Sequence, residues 1–164
     1  MIHKDIKLEN FFVDKNGRVK LGDFGFTHKI GNTVSSDFEA TPRYAPPELA
    51  HAYKYHLPYA DVVTQKGDIW SMGYMLYAVV GISKTQPFPY PDKYSNHLQS
   101  FIQSLSEISQ QQDLPDFPEP SCKESIQYLI WRMLRPQKED RPTSKELLEI
   151  FEAHYEKESF WGES

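Results

Sequence analysis

One cysteine, Cys122, is all that the 164 residues contain. An internal disulfide framework is therefore excluded, and a reducing compartment fits. Cys122 itself reads as an ordinary small residue at a helix start. Long hydrophobic runs are also missing. The longest uncharged stretch begins at Ile69 and stops before Lys84, and Ser71, Gly73 and Ser83 dilute it. Its mainly apolar part, about 14 residues, is short of the roughly 20 that a membrane helix needs. It reads as a buried helix, and no membrane partner is expected. Positive charge is scarce too. Lys and Arg number 18 against 23 Asp and Glu, a net charge of −5, so no nucleic-acid partner is expected. The opening Met-Ile-His-Lys-Asp is no signal peptide, and an intracellular, cytoplasmic location is the expectation.

What is present can build a core. Hydrophobic residues make up 39% and aromatics 14%, which argues against disorder. The length suits one domain. Two short motifs carry most of the chemistry: His3-Lys4-Asp5-Ile6-Lys7-Leu8-Glu9-Asn10, then Asp23-Phe24-Gly25. Between them lies a hairpin pattern. Strands are expected at 11–14 and 18–21, around the turn Lys15-Asn16-Gly17. A hairpin sends the chain out and back, so Asp23 should return beside Asn10, with Asp5 and Lys7 nearby. Hard oxygen ligands beside a lysine suit magnesium and a phosphate.

The rest of the chain reads as loops and helices. Residues 22–45 are mostly loop. Pro46-Pro47-Glu48 opens a short helix, and 52–66, rich in Tyr and His, reads as a surface excursion. Residues 67–81 form the apolar helix, 83–91 a loop, and 92–111 a helix, followed by a Pro-rich stretch at 115–120. Residues 122–134 carry Ile126, Leu129, Ile130, Met133 and Leu134 at helical spacing. A last helix spans 143–157, with Thr143 as N-cap and Glu146 closing a capping box.

Asp-x-Lys-x-x-Asn alone is weak, arising by chance roughly once per 8,000 positions. The ordered set is specific. Thr41-Pro42-Arg43-Tyr44-Ala45-Pro46-Pro47-Glu48 follows, then Asp68-Ile69-Trp70-Ser71-Met72-Gly73, then Leu134-Arg135-Pro136 and Asp140-Arg141-Pro142-Thr143. With these the sequence resembles the C-terminal, large lobe of a eukaryotic-type serine/threonine protein kinase domain. The resemblance implies a mainly α fold with a small β-hairpin, over 1–158, and a tail at 159–164.

It also implies roles. Asp5 would orient the substrate hydroxyl and accept its proton, and Lys7 would neutralise charge on the phosphoryl group. Asn10 and Asp23 would hold Mg2+, and Phe12 would lie beneath the adenine of ATP. Thr41 would bond Asp5 and Lys7, as in the serine/threonine class. His3 and Phe24, beside Gly25, resemble spine residues. Asp68 would bond the catalytic-loop backbone, and Glu48 and Arg141 would pair as buried ions.

Departures from the family pattern shape the remaining expectations. No Gly-rich phosphate loop and no strand lysine precede the matched region within these residues, so the small lobe is expected to be absent and the chain alone inactive. Apolar surface should then show on the helix at 67–81. Lys4 replaces the usual arginine, a point charge for a planar fork. Asp37, eleven residues before Glu48, is a candidate built-in acid paired with Lys4, and Thr33, Ser35 and Ser36 are candidate phosphosites. A plain solvated loop explains the same residues. The acids Asp113, Asp116 and Glu119 would favour basic substrates, or form another solvated loop. The expected partners are a protein substrate and the missing lobe or a partner kinase. The alternative is a non-catalytic binding module or decoy.

Overall fold

The structure, a computed structural model, describes residues 1–29, 41–81, 98–114, 117–123 and 125–155. The tail at 159–164 and the residues Thr33, Ser35, Ser36, Asp37, Ala40 and Asp116 lie outside them.

Strands β1 (Phe11–Val13) and β2 (Val19–Leu21) pair antiparallel, with Phe11 opposite Leu21 and Val13 opposite Val19. Asp14 sets the turn. Its carboxylate accepts from the backbone N–H of Asn16 at 2.8 Å and of Arg18 at 3.1 Å. Gly17 takes φ 76°, a conformation a side chain resists. Each strand is one residue shorter than expected, because Asp14 and Arg18 belong to this turn.

The helices are α1 (Pro47–Lys54), α2 (Gln65–Val80), α3 (Leu98–Ile108), α4 (Ile126–Met133) and α5 (Ser144–Tyr155). Helix α2 is apolar on most sides and runs through the core, as a helix without a polar face must. It stops at Gly81, whose left-handed φ of 66° ends the helix. On one side Trp70, Tyr74 and Tyr77 meet α1 and α3 through Leu49, Phe101, Ile102 and Leu105. On another, Ile69 packs with Leu129 and Met133 of α4 and with Leu147 and Ile150 of α5. Gly73 is needed at that crossing: a Cβ there would lie 2.7 Å from Cβ of Met133.

Three expectations change. Helix α1 continues past Ala52, where a surface excursion was expected to begin. Its small residues Ala50 and Ala52 are fully buried, and their size allows close approach to α3. Tyr59, within the same stretch, is buried as well. Helix α4 starts at Ile126 and not at Cys122. Ser125 caps it, its hydroxyl accepting from Tyr128 N–H at 3.1 Å, and Cys122 stays exposed ahead of the cap. Helix α3 ends at Ile108, before Gln110; residues 92–97 lie outside the described ones. The capping box of α5 forms as read: Thr143 N–H donates to Glu146 Oε2 at 2.7 Å, and Glu146 N–H returns to Thr143 Oγ1 at 3.2 Å. Among the described residues no helix is long and apolar enough to cross a membrane.

Candidate active site

The segment before β1 is held from below by α2. Asp68, one turn into α2, accepts from the backbone N–H of His3 at 2.7 Å and of Lys4 at 2.9 Å. Lys4 has φ 71°, a strained conformation for a residue with a side chain, of the kind that persists where its surroundings fix it. The two bonds to Asp68 are that fixture. Burial pushes the Asp68 carboxyl above its ordinary range, outweighing those same bonds. His3 adds a second tie. Its Nδ1 accepts from Asp5 N–H at 3.4 Å and its Nε2 lies 3.1 Å from the carbonyl of Gly22. Both contacts are satisfied by the tautomer that carries its proton on Nε2. The His3 ring also meets Phe24, with centroids 5.2 Å apart.

Asp5 is the hub. It is buried, and four contacts converge on it. Thr41 Oγ1 donates to Oδ1 at 2.6 Å. Lys7 Nζ pairs with Oδ2 at 2.6 Å and also donates to Thr41 Oγ1 at 3.2 Å. Asn10 Nδ2 donates to Asp5 Oδ2 at 3.1 Å and to its backbone carbonyl at 2.7 Å. Burial opposes ionisation of Asp5, but the bonds from Lys7, Thr41 and Asn10 together prevail and hold its carboxyl below the usual range. The bond to Asp5 raises Lys7 above its ordinary value. Burial opposes this, and the charges of Asp5, Glu9 and Asp23 add to it.

The hairpin closes the site. Gly22 N–H donates to Asn10 carbonyl at 2.9 Å, so the strand delivers Asp23 to the neighbourhood of Asn10. Asp23 is exposed, has φ 56°, and accepts from Gly25 N–H at 3.3 Å. Both side-chain bonds of Asn10 use Nδ2, which turns its amide oxygen, Oδ1, toward other partners. One carboxylate and one amide oxygen are what a magnesium ion accepts when it keeps waters and phosphate oxygens as its other ligands. Among the described residues no cluster of three or more His, Cys, Asp or Glu side chains gathers, so a wholly protein-built metal cage is not part of this region. Phe12 stands on the hairpin and is 57% exposed.

A second ionic centre lies under α1. Arg141, with a side chain 0% accessible, meets Glu48 two-pronged at 2.8 and 2.7 Å. Its remaining N–H groups reach the carbonyls of Arg135, Lys66 and Pro136 at 2.7, 3.0 and 3.0 Å. All five donors are satisfied, and the guanidinium lies 4.9 Å from the Trp70 ring centroid.

The ordered motifs and this geometry meet in the comparison with known families. The description "Protein kinase domain" covers residues 1–151. The chain belongs to the protein kinase domain family. Of its curated relatives, "Putative serine/threonine-protein kinase A" of Trypanosoma brucei brucei is 32% identical over 92% of the chain and 31% of that protein. Mouse "Serine/threonine-protein kinase Nek3" is 33% identical over 90% of the chain and 25% of that protein. "Probable serine/threonine-protein kinase MARK-B" of Dictyostelium discoideum is 44% identical, over 48% of the chain and 10% of that protein. The kinase-domain chain spans about a third or less of these relatives' length.

Some participants escaped the sequence. Ser71 donates to the Tyr44 carbonyl at 2.7 Å, tying the segment after Thr41 to α2. It lies three residues after Asp68, one turn along the same helix, and that spacing was the available signal. Gly22 is the other: its N–H donates to the Asn10 carbonyl at 2.9 Å, and a Cβ there would lie 2.8 Å from Phe12 Cε2. Asp113 forms an ion pair with Arg135.

Proposed function

We propose that this kinase domain serves ATP-dependent phosphoryl transfer to serine or threonine of protein substrates. The observation that carries the reading is the closed network of Asp5, Lys7, Thr41 and Asn10. Magnesium–ATP, when bound, supplies the phosphoryl group and a cation against its charge. Asn10 Oδ1 and the Asp23 carboxylate would hold the metal. Asp5, ionised because three donors stabilise its charge, accepts a hydrogen bond from the substrate hydroxyl and aims its oxygen. A carboxylate of low basicity orients better than it deprotonates, which suits a transfer in which the proton leaves late. Lys7 stays charged and lies within reach of both Asp5 and Thr41, placed to offset phosphoryl charge. Lys4 and Asp37 together reduce dependence on phosphorylation of the segment holding Ser35 and Ser36.

The 164 residues alone do not turn over in this proposal. The glycine-rich loop and strand lysine that cradle a nucleotide in kinases must come from other polypeptide, either a small lobe or a partner kinase. Supporting this is an apolar groove of about 680 Å³, lined by Ile2, Ile6, Leu21, Val63, Ile69 and Met72, beside α2. Such a groove suits a further packed element. It would also serve a non-catalytic binding module, and failure of an added small lobe to restore nucleotide binding would favour that second reading.

Manganese tests the site. Mn2+ titrated into the isotope-labelled chain should broaden the amides of Asn10, Asp23 and Gly25 first, and Asp23→Ala should abolish the effect. Broadening spread over the acidic surface, with none at Asn10 and Asp23, would contradict the proposal.

A further inference from the structure

Helix α5 carries a second apolar row beside the one it buries. Leu147 and Ile150 pack on Ile69, Leu129 and Met133. Leu148 and Phe151, each the next residue along, are 55% and 47% exposed. Ser144, Leu148 and Phe151 follow one another at spacings of four and three, so they share one face of the helix. Ser144 lines the apolar groove beside α2, together with Ile69 and Met72. The groove and the exposed row therefore adjoin, and together they run from α2 out along α5. An adjoining apolar surface of this kind marks a contact site.

The chain supplies a cover that fits. Beyond Tyr155 come Glu156-Lys157-Glu158-Ser159-Phe160-Trp161-Gly162-Glu163-Ser164. Two large aromatics stand side by side there in an otherwise polar stretch. The reach is right. At about 1.5 Å per residue, α5 separates Ser144 from Tyr155 by roughly 16 Å. At about 3.3 Å per residue, the extended chain from Tyr155 to Phe160 covers roughly the same distance. A tail turning back along α5 can bring Phe160 over Phe151 and Leu148, and Trp161 to the mouth of the groove. Charge agrees with length. Lys29 and Lys66 line the groove, and its one acid, Asp68, spends both carboxylate oxygens on the backbone of His3 and Lys4. Lys66 gives one N–H to the Arg141 carbonyl and has two more to offer. The tail carries Glu156, Glu158 and Glu163 against one lysine, Lys157. Glu163, just past Trp161, would follow it toward those bases.

We propose that residues 156–164 fold back along α5 as an intramolecular cover, with Phe160 on the exposed row and Trp161 in the groove. The contact needs neither nucleotide nor turnover, so it stands or falls apart from the catalytic reading. It shields apolar surface that would otherwise face water, and it holds the place that a further packed element would take.

The test uses the full 164-residue chain with fluorotryptophan at its three tryptophans, Trp70, Trp131 and Trp161. Fluorine NMR with a soluble gadolinium chelate reads which of them the solvent reaches. Trp70 is fully buried and reports the fold. The Trp161 signal, identified by its loss in Trp161→Ser, should be shielded from the chelate in wild type, and dilution should not change this. Leu148→Glu alters an exposed site, so the Trp70 signal should stay while the shielding of Trp161 is lost. Phe160→Ser, which alters the tail alone, should also lose it. In Trp161→Ser the isotope-labelled methyl of Met72 should shift, because the indole ring has left the groove. A Trp161 as open to the chelate in wild type as in Leu148→Glu would overturn the docking and leave the groove to another element. Shielding retained in Phe160→Ser would overturn the role of the aromatic pair. Shielding that fades on dilution would put the tail on a second copy and overturn the intramolecular cover. An unmoved Met72 methyl would overturn the placement of Trp161 in the groove.

Discussion

Replacing Glu48 by alanine should destabilise this domain strongly. The carboxylate takes two of the five N–H donors of Arg141, at 2.8 and 2.7 Å, and the Arg141 side chain is 0% accessible. Removing one member of a buried pair typically costs about 3–5 kcal/mol, because the other charge stays buried without compensation. That is a large share of the roughly 5–15 kcal/mol that holds a domain together. With a urea slope of about 2 kcal/mol/M, the unfolding midpoint should fall by about 2 M. Urea titration followed by circular dichroism reads this directly. The double variant Glu48→Leu with Arg141→Met removes both charges, so it should lose less than the sum of the two single variants. It should not recover fully, since the carbonyls of Arg135, Lys66 and Pro136 also lose their donor. A midpoint shift in Glu48→Ala corresponding to less than about 1 kcal/mol would contradict an uncompensated buried charge and put this pair in the range of exposed ion pairs.

Other outcomes follow from the same packing and charge. Gly73→Ala should cost about 1–3 kcal/mol by overpacking, read as a lower melting temperature. Adding Met133→Ala should not rescue it, since the collision is with Cβ of Met133. The Asp5–Lys7 pair should make stability depend on pH at both ends. Asp5 lies below its ordinary 3.8 in the folded state, so its contribution is present above 3.8 and lost as pH falls through the lower folded value. Lys7 lies above its ordinary 10.5, so its contribution is present below 10.5 and lost as pH rises through the higher folded value. The stability gap between wild type and Asp5→Asn should therefore stay constant from about pH 5 to 9 and shrink in stronger acid. A gap that widened in acid would contradict the hydrogen-bonded, ionised Asp5.

Much of this geometry could be read before any coordinates. The hairpin was legible because a turn of Asn and Gly between apolar runs has few other uses. Helix α2 was legible from its unbroken apolar run, and the box of Thr143 and Glu146 from spacing alone. What escaped depends on contacts between distant segments. Ala50 and Ala52 look neutral in sequence, and only the approach of α3 makes them core. Asp14 looks like a surface acid, yet it fastens the hairpin turn. Gly22 looks like a flexible prelude to Asp23, and only the cross-strand ring of Phe12 shows why a side chain is excluded. The separations that bring Asp5 to Thr41 and Glu48 to Arg141 were anticipated through family resemblance, not from local pattern. Periodicity reports one face of one element; it carries no information about which distant side chain will meet it.

The most direct measurement is phosphate transfer from radiolabelled ATP to mixed serine and threonine peptides. The enzyme would be this chain joined to a kinase small lobe that supplies a glycine-rich loop and a strand lysine. The joined protein should transfer phosphate and lose that activity in Asp5→Ala, and the 164 residues alone should show none. Transfer that survives Asp5→Ala, or no transfer from a joined protein that binds ATP, would contradict the phosphoryl-transfer reading.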